Sequence, residues 1–258
     1  MLFARFRYAD RVAYGSYEDG RVRALEGDLF GEYRLLDESF PLSDITLLAA
    51  VQPSNILAAA VNYPSHVTSA KAVLKTEEAP AIPQLFLKPA SSVIGPEEVI
   101  VLPEGARRVD AEGELVAVIG RECRSVAAAA ALDYVFGYTC GNDVSARHWQ
   151  RDDLQWWRAK GCDTFSPIGP FIATGLDPAN LEISTRVNGE ELQATNTSAM
   201  IHPLATLIEC ISPVMTLRAG DIIFTGTPGI TPTINDGDTV EVEVKGIGVL
   251  RNKVVRRG

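Results

Sequence analysis

Three carboxylates recur at every second position in the stretch "VDAEGELVAVIG", which runs from Val109 to Gly120. They are Asp110, Glu112 and Glu114, and the stretch that follows them is almost wholly apolar. In a β-strand, side chains two positions apart lie on the same face, about 7 Å from each other. Unpaired charges on a desolvated face are costly. The face is therefore predicted either to be solvated or to hold a cation.

A fourth carboxylate favours the cation. By itself, the acidic stretch is more typical of a solvated strand face. Asp143, however, follows the strand-like run "YVFGYTCG" at a position where a turn could expose it. A set of carboxylates without cysteine or histidine suits Mg²⁺, Mn²⁺ or Ca²⁺ better than zinc.

The composition is that of an ordinary globular protein. The chain has 258 residues, of which 46% are hydrophobic and 22% charged. Its net charge of −9 argues against nucleic acid or a membrane surface as a partner. A small anionic substrate stays open, because local cations can invert the field at one site. We expect reduced cysteines and a soluble, cytoplasmic protein, since there is no C-x-x-C pair, signal peptide or long apolar run.

Strand-like runs and turn signals predict a mostly β chain. Hairpin turns are predicted at "EDG" (18–20) and "NG" (188–189). Helices are predicted at the alanine-rich run "SVAAAAALDY" and around "AMIHPLATLIECISPV". Strands and helices do not alternate, which argues against a doubly wound sheet. The join "QPSN" divides the chain into a small N-terminal domain, residues 1–54, and a larger domain, residues 55–258.

A long polar segment, "PSHVTSAKAVLKTEEAPAIP" (64–83), is bounded by prolines. Segments of this kind are typical of mobile lids or functional loops, with room for a short helix. It contains His66, and a histidine on such a loop suits general-base work near neutral pH, although most surface histidines have no such role.

Seven short motifs occur in an order that resembles the fumarylacetoacetate hydrolase family. They are "NYPSH", "FLKP", "DAEGELVAVIG", "GYTCGNDVSAR", "KGCDTFSPIGP", "GDIIFTGTP" and "GDTVEVEVKGIGVLRNKV". The resemblance runs from about Ile56 to the C-terminus, and the preceding residues are similar to the small N-terminal domain of many bacterial members. The layout is typical of 2-hydroxyhepta-2,4-diene-1,7-dioate isomerases of aromatic catabolism. It implies an α+β, mostly β fold, a mixed β-sandwich roll with a small β-rich N-terminal domain, and a homodimer.

The same resemblance implies one divalent cation, Mg²⁺ or Mn²⁺ with Ca²⁺ as a further candidate. Its ligands would be Glu112, Glu114 and Asp143, with Asp110 as a supporting carboxylate behind them. The apolar remainder of the acidic stretch would anchor the strand in the core and fix the ligand geometry.

Two catalytic residues are also implied. Lys160, in "RAKGCDTF", matches the family's catalytic lysine, and an ammonium beside a metal could stabilise an enolate oxygen; alone, it would be interpreted as a surface lysine. His66 matches the histidine of the family's lid. Many members carry a glutamate three positions later, where this chain has Ser69, which cannot bring a negative charge to the histidine. Glu77 or Glu78 could take its place.

Three residues are predicted to contact the substrate. Arg147 and Gln150 occupy positions beside the substrate in the family, and Arg147 could equally form a structural ion pair. Thr227, in "TGTP", could donate hydrogen bonds or serve only the turn. The tryptophans of "HWQRDDLQWW" are expected in packing or a dimer interface rather than at a ligand.

The sequence therefore predicts a metal-dependent enzyme acting on a small anionic 2-oxo or β-dicarbonyl acid through a stabilised enolate. The reaction would be C–C hydrolysis of an acylpyruvate-like or fumarylacetoacetate-like compound, or isomerisation of a 2-hydroxyhepta-2,4-diene-1,7-dioate-like compound. The alternatives are an oxaloacetate-type decarboxylase and a catalytically weakened oxo-acid-binding protein. Ser69 shifts the expectation away from hydrolysis, which needs an activated water.

Overall fold

The structure is a computed structural model that describes residues 1–69 and 79–257. The central part of the segment expected as a lid, with Glu77 and Glu78, lies outside the described residues. No helix in the described part of the chain is long and apolar enough to cross a membrane.

Twenty strands form three sheets in the described residues. In chain order they are β1 (Leu2–Tyr8), β2 (Arg11–Glu18), β3 (Arg21–Gly27), β4 (Tyr33–Pro41), β5 (Thr46–Leu47), β6 (Ile56–Ala60), β7 (Gln84–Lys88), β8 (Val93–Ile94), β9 (Ile100–Leu102), β10 (Val109–Asp110), β11 (Gly113–Ile119), β12 (Val135–Asn142), β13 (Ser145–Ala146), β14 (Ser166–Ala173), β15 (Glu182–Val187), β16 (Glu190–Asn196), β17 (Ile222–Phe224), β18 (Thr233–Ile234), β19 (Thr239–Val244) and β20 (Gly248–Arg256).

The helices of the described residues are short. They are α1 (Pro64–Ser69), α2 (Ala128–Ala131), α3 (Arg147–Asp152), α4 (Trp157–Gly161) and α5 (Leu204–Ile211). Helix α5 confirms the helix expected in this region. It buries residues at the i, i+3, i+4 and i+7 positions, from Leu204 to Ile211.

The largest sheet runs through most of the chain. Its main path is β4-β3-β2-β1-β14-β12-β11-β17-β6-β7, with β5 on β1 and β8 on β14. The smaller sheets are β13-β10-β18 and β16-β15-β19-β20-β9. Most pairs are antiparallel, but β17 with β6, β20 with β9 and β14 with β8 are parallel, so the two larger sheets are mixed. Because β1 pairs with β14, the N-terminal strands extend the same sheet as the rest of the protein.

Local turn signals identified the hairpins correctly. The β2–β3 and β15–β16 hairpins turn at the two predicted positions, and Asp19, Gly20, Asn188 and Gly189 all have positive φ. The alanine-rich run is less helical than its composition predicted. Helix α2 covers only four residues before a 3₁₀ turn, and strand β12 begins at Val135. Pairing of β12 with β11 outweighs the helix propensity of alanine here.

Strand β11 is buried along its whole length and separates two cores. Leu115, Ala117 and Ile119 pack towards α5 and the five-stranded sheet. Val116 and Val118 point the other way, into the core that contains Phe3 and other N-terminal residues. An apolar side chain on both faces explains the uninterrupted hydrophobic run, and it anchors the strand as expected.

The acidic stretch is not one continuous strand, and the prediction that its three carboxylates share a strand face is wrong. Strand β10 belongs to the three-stranded sheet, whereas β11 belongs to the large one. Between them, the Ala111 N–H bonds to the Pro232 carbonyl and the Glu112 N–H bonds to the Asn142 side chain. Because these two backbone N–H groups bond to a loop carbonyl and to a side chain rather than to a neighbouring strand, the chain changes sheet and Asp110 separates from the two glutamates.

Candidate active site

One cavity of about 360 Å³ opens at the end of β11. All eight residues predicted for the site line it: His66, Glu112, Glu114, Asp143, Arg147, Gln150, Lys160 and Thr227. They come from α1, β11, α3, α4, the link between β10 and β11, and the loops that follow β12 and β17. The fold therefore gathers side chains that are far apart in the sequence.

Three buried carboxylates form the floor of the cavity. Glu112, Glu114 and Asp143 each offer an oxygen, and these oxygens lie within 4.8 Å of one another. Each residue is at most 3% exposed. Oxygens bound to one divalent ion at about 2.0 to 2.4 Å lie within roughly 4 to 5 Å of each other. The all-oxygen donor set and its spacing therefore fit one hard cation such as Mg²⁺ or Mn²⁺.

Two buried lysines contact this triad. Lys160 donates to Glu112 Oε2 at 2.5 Å and also contacts Asp143 Oδ2. Lys88 contacts Asp143 Oδ1 from the other side and donates to the Phe165 carbonyl at 2.9 Å. Lys160 also lines the cavity, whereas Lys88 is sealed beneath it. Lys160 can thus meet a ligand, and Lys88 can only hold Asp143 in place.

The charges at the floor are unevenly compensated. Burial raises the pKa of Glu114 well above its usual value, and the neighbouring Asp143 and Glu112 charges raise it further. For Glu112, burial acts in the same direction, but Arg147 and Lys160 outweigh it and hold the pKa well below its usual range. An added cation would therefore stabilise the charged form of Glu114, which the protein alone disfavours. This imbalance is a second reason why the triad fits a metal ion.

Glu114 is oriented by a backbone amide that requires glycine. The Gly226 N–H donates to Glu114 Oε2 at 2.6 Å. Gly226 has φ +100°, and a Cβ there would lie 2.7 Å from the Cβ of Asn62. The Asn62 side chain in turn bonds to the carbonyls of Thr225 and His202. Asn62, in the "NYPSH" motif, therefore fixes the loop that orients Glu114.

A fourth carboxylate, which is fully buried, supports the triad from behind. Asp110 accepts hydrogen bonds from Thr231 and Thr233, each at 2.8 Å, and from Arg108 and Arg147. Arg147 also contacts Glu112, so its guanidinium group bridges Asp110 to the triad.

Arg147 was expected either to contact the substrate or to form a structural ion pair. Its Nη1 donates to Gln150 at 2.9 Å and its Nη2 to Thr231 at 2.7 Å, in addition to the two carboxylates. The arrangement is that of a structural ion pair at the cavity wall. Direct contact of Arg147 and Gln150 with substrate stays a prediction.

His66 and Thr227 both line the cavity and are held by backbone contacts. His66 Nδ1 lies 2.8 Å from the Gly229 carbonyl, which can only accept, so Nδ1 carries the proton in the neutral ring. Burial lowers the pKa of His66, and the Glu112 charge only partly offsets this. Thr227 donates to the Gly113 carbonyl at 3.1 Å and accepts from Gln193 at 3.3 Å. The side chain of Ser69 is outside the described residues.

The family described as fumarylacetoacetate (FAA) hydrolase C-terminal matches residues 55–255, and the family described as Rv2993c-like, N-terminal matches residues 1–49. The chain belongs to the fumarylacetoacetate hydrolase family. The resemblance carried by the seven motifs is thus confirmed.

Three relatives show the range of the fumarylacetoacetate hydrolase family. The structure of 2-hydroxyhepta-2,4-diene-1,7-dioate isomerase from Mycobacterium marinum is 45% identical, with a TM-score of 0.92 over 100% of this chain and 99% of that one. Oxaloacetate tautomerase Fahd2a, mitochondrial, from Rattus norvegicus is 40% identical over 83% of this chain and 71% of its own length. Maleylpyruvate hydrolase from Sphingobium sp. SYK-6, solved with manganese(II) ion and pyruvate, is 30% identical over the whole of both chains, with a TM-score of 0.82.

These relatives confirm the predicted fold, a mostly β structure of the fumarylacetoacetate hydrolase type. They are enzymes of different reaction classes: an isomerase, a tautomerase and a hydrolase. Members of the family are therefore enzymes, but membership does not determine which of these reactions a given chain catalyses.

Two residues at this site, Lys88 and Trp156, were not predicted from the sequence. Lys88 lies in the "FLKP" motif, which is a signal, but its contact with Asp143 joins residues 55 positions apart. Trp156 lines the cavity and packs edge-on against Phe86, whereas packing away from ligands was expected. Its unusual backbone, with φ +57°, has no sequence signal.

The hydrogen bonds and ion pairs that Asp110 accepts are expected to stabilise the folded protein. Replacing Asp110 by alanine would remove the carboxylate that accepts from Thr231, Thr233, Arg108 and Arg147, and would leave the largely buried Arg147 short of one partner. We expect a loss of about 3–5 kcal/mol in the free energy of unfolding, measured by urea titration. Asp37, which is exposed and pairs with Arg23, is the matched control, and its alanine variant should lose less than about 1 kcal/mol. Equal losses in the two variants would contradict the bridging role of Asp110.

Proposed function

We propose that the protein is a divalent-cation-dependent enzyme that interconverts the enol and keto forms of a small 2-oxo acid through an enolate. The observation that carries this proposal is the position of Lys160. Its ammonium group is buried, lines the cavity and contacts two of the three carboxylates on the floor. A fixed positive charge at this point suits a reaction that develops negative charge on an oxygen beside it.

Glu112, Glu114 and Asp143 would hold the cation. When bound, the cation would supply positive charge that polarises the 2-oxo group and offsets the charge of the enolate. The chain's own contribution is to orient the three carboxylates: Gly226 fixes Glu114, Arg147 fixes Glu112, and Lys88 fixes Asp143.

Lys160 would donate a hydrogen bond to the enolate oxygen. Burial by itself lowers the pKa of this lysine, but the Asp143 and Glu112 charges outweigh burial and raise the pKa above its usual value. The ammonium group therefore stays protonated near neutral pH. It acts as a fixed donor rather than as the base.

His66 would transfer the proton. In ketonisation, the enol loses its O–H proton and the C3 carbon gains one; in enolisation, both transfers run in reverse. The contact with the Gly229 carbonyl makes Nδ1 the protonated nitrogen of the neutral ring, which leaves the basic lone pair on Nε2. The lowered pKa keeps the ring neutral near pH 7, as a general base requires.

Two observations favour proton transfer over C–C hydrolysis. The isomerase and tautomerase relatives are 45% and 40% identical to this chain, and the maleylpyruvate hydrolase is 30% identical. Ser69 also stands where many members of the family carry a glutamate, and serine cannot serve as the charged partner that helps histidine to activate water. Hydrolysis of an acylpyruvate is the second candidate, because the hydrolase relative was solved with pyruvate and manganese(II) ion.

The test is a substrate panel with Mg²⁺-loaded protein. We expect enol-oxaloacetate and a 2-hydroxydienoate to be converted to their keto forms well above the spontaneous rate. An acylpyruvate should be enolised without cleavage, which product analysis by NMR would show. If the acylpyruvate is instead cleaved with the highest kcat/KM of the panel, hydrolysis is the native reaction.

A further inference from the structure

The three carboxylates on the cavity floor are held in the same way. Each accepts a hydrogen bond on one of its oxygens from a donor other than Lys160. The oxygens and their donors are Glu112 Oε1 with Arg147 Nη2, Glu114 Oε2 with the Gly226 N–H, and Asp143 Oδ1 with Lys88 Nζ. We propose, on the basis of the cation dependence in the proposed function, that Lys88 is a positioning residue that sets the choice of cation. By limiting Asp143 to one ligand oxygen, it favours Mg²⁺ or Mn²⁺ over Ca²⁺.

The two lysines at the floor contact opposite oxygens of Asp143. Lys160 lines the cavity and contacts Asp143 Oδ2, and it also donates to Glu112 Oε2 at 2.5 Å. Lys88 contacts Asp143 Oδ1, and its side chain is fully buried. A cation that enters from the cavity therefore meets Oδ2, while Oδ1 stays with Lys88.

Lys88 is fixed in this position by its surroundings. Its ammonium group also donates to the Phe165 carbonyl at 2.9 Å and lies 5.7 Å from the centre of the Phe224 ring. Its backbone belongs to β7, where Lys88 pairs with Ile56 of β6. An ammonium group without a partner is costly in a buried place, so Lys88 would not release Asp143 when a cation binds.

The number of oxygens that each carboxylate offers separates the candidate cations. Mg²⁺ requires a near-octahedral shell and usually keeps several waters, whereas Ca²⁺ takes more oxygens and often binds a carboxylate through both. With one oxygen from each carboxylate, the floor leaves positions for water and substrate, as Mg²⁺ prefers. Binding through both oxygens of Asp143 would make the cation share Oδ1 with the Lys88 ammonium group, and like charges repel.

Lys88 is the holding group that a single substitution can remove most cleanly. Gly226 acts through its backbone N–H, which no side-chain change removes. Arg147 also bonds to Asp110, Gln150 and Thr231, so its loss would disturb the cavity wall. Replacing Lys88 by methionine removes the ammonium group and keeps much of the volume beneath the floor.

The experiment compares two variants that remove the same charge from opposite oxygens of Asp143. Dissociation constants for Mg²⁺, Mn²⁺ and Ca²⁺ would be measured by calorimetry with full-length, EDTA-treated wild type, Lys88→Met and Lys160→Met. We expect Lys88→Met to shift the ratio of Ca²⁺ to Mg²⁺ affinity towards Ca²⁺ by about tenfold or more, because Asp143 Oδ1 becomes available. Lys160→Met should leave this ratio within about twofold of the wild-type value, because Lys88 still holds Oδ1.

Infrared spectroscopy adds a measurement on the wild type that does not depend on the folding of a variant. The separation of the antisymmetric and symmetric carboxylate stretches distinguishes cation binding through one oxygen from binding through two. Difference spectra of the wild type with Mg²⁺ and with Ca²⁺ should show one-oxygen binding alone. Lys88→Met with Ca²⁺ should add the signature of two-oxygen binding.

The outcomes separate this inference from the proposed function. A two-oxygen signature in the wild type, or a folded Lys88→Met variant with an unchanged affinity ratio, would overturn the inference and leave the proposed function intact. An equal shift of the ratio in both lysine variants would also overturn it, since charge alone would then set the choice of cation. A wild type that binds none of the three cations would overturn the cation dependence of the proposed function itself.

Discussion

Replacing Glu114 with alanine is expected to abolish divalent-cation binding and turnover while leaving the fold intact. Glu114 offers one oxygen of the candidate metal site and contributes little packing, because its carboxylate faces the cavity. In the cation-free protein it lies beside two like charges, and its pKa is raised by burial and by those charges. Removing it should therefore not lower the melting temperature measured in EDTA.

The same variant should lose stabilisation by the metal. A cation that binds the native state raises the melting temperature, and at a given concentration it raises it more the more tightly it binds. We expect added Mn²⁺ to raise the melting temperature of the wild type and of Glu122→Ala, an exposed control, but not that of Glu114→Ala. If Glu114→Ala binds Mn²⁺ as tightly as the wild type in calorimetry, the assignment of the ligands is wrong.

Replacing Lys160 with methionine is expected to lower kcat by about 10²–10³-fold, the usual effect of removing one donor to a developing oxyanion. Methionine keeps much of the side-chain volume, so the change acts mainly through the lost ammonium group. Lys160 contacts Glu112 and Asp143, and its removal takes away a positive charge that opposes a cation. Affinity for Mn²⁺ should therefore stay the same or increase, while catalysis falls.

A fall in kcat without a fall in Mn²⁺ affinity would show that Lys160 acts in catalysis rather than in metal binding. Lys253→Met, at an exposed position of β20, is the control and should leave both quantities unchanged. A Lys160→Met variant with unchanged rates on every substrate would refute the enolate mechanism. A variant that loses metal affinity and activity together would show that Lys160 acts by building the site.

The sequence was sufficient for the features that depend on local chemistry. The two hairpin turns required residues that tolerate positive φ, and the chain supplied Asp-Gly and Asn-Gly there. The apolar run of β11 showed a strand buried on both faces. The ligand types of the candidate site could also be predicted, since a carboxylate set without cysteine or histidine leaves few choices of metal.

Features that depend on which loops meet could not be predicted. Alternation alone placed Asp110 on the same face as Glu112, because nothing in the spacing shows that the chain changes sheet between them. The partners that decide the role of Asp110, Thr231 and Thr233, lie more than 120 positions later. The contact of Lys88 with Asp143 likewise depends on the meeting of β7 with the loop after β12. Such contacts follow from topology rather than from local propensity.

Hydrogen exchange at C3 of a 2-oxo acid tests the central claim most directly, namely that the carboxylate triad and Lys160 form a site for enolisation. 2-Oxoglutarate and oxaloacetate would be incubated in D₂O with the Mg²⁺-loaded protein, and the C3 proton signals followed by NMR. We expect the wild type to accelerate the loss of these signals for at least one of the two acids. EDTA should abolish the acceleration, and Lys160→Met should reduce it by about 10²–10³-fold. Exchange no faster than in Mg²⁺-containing buffer without protein would contradict the account.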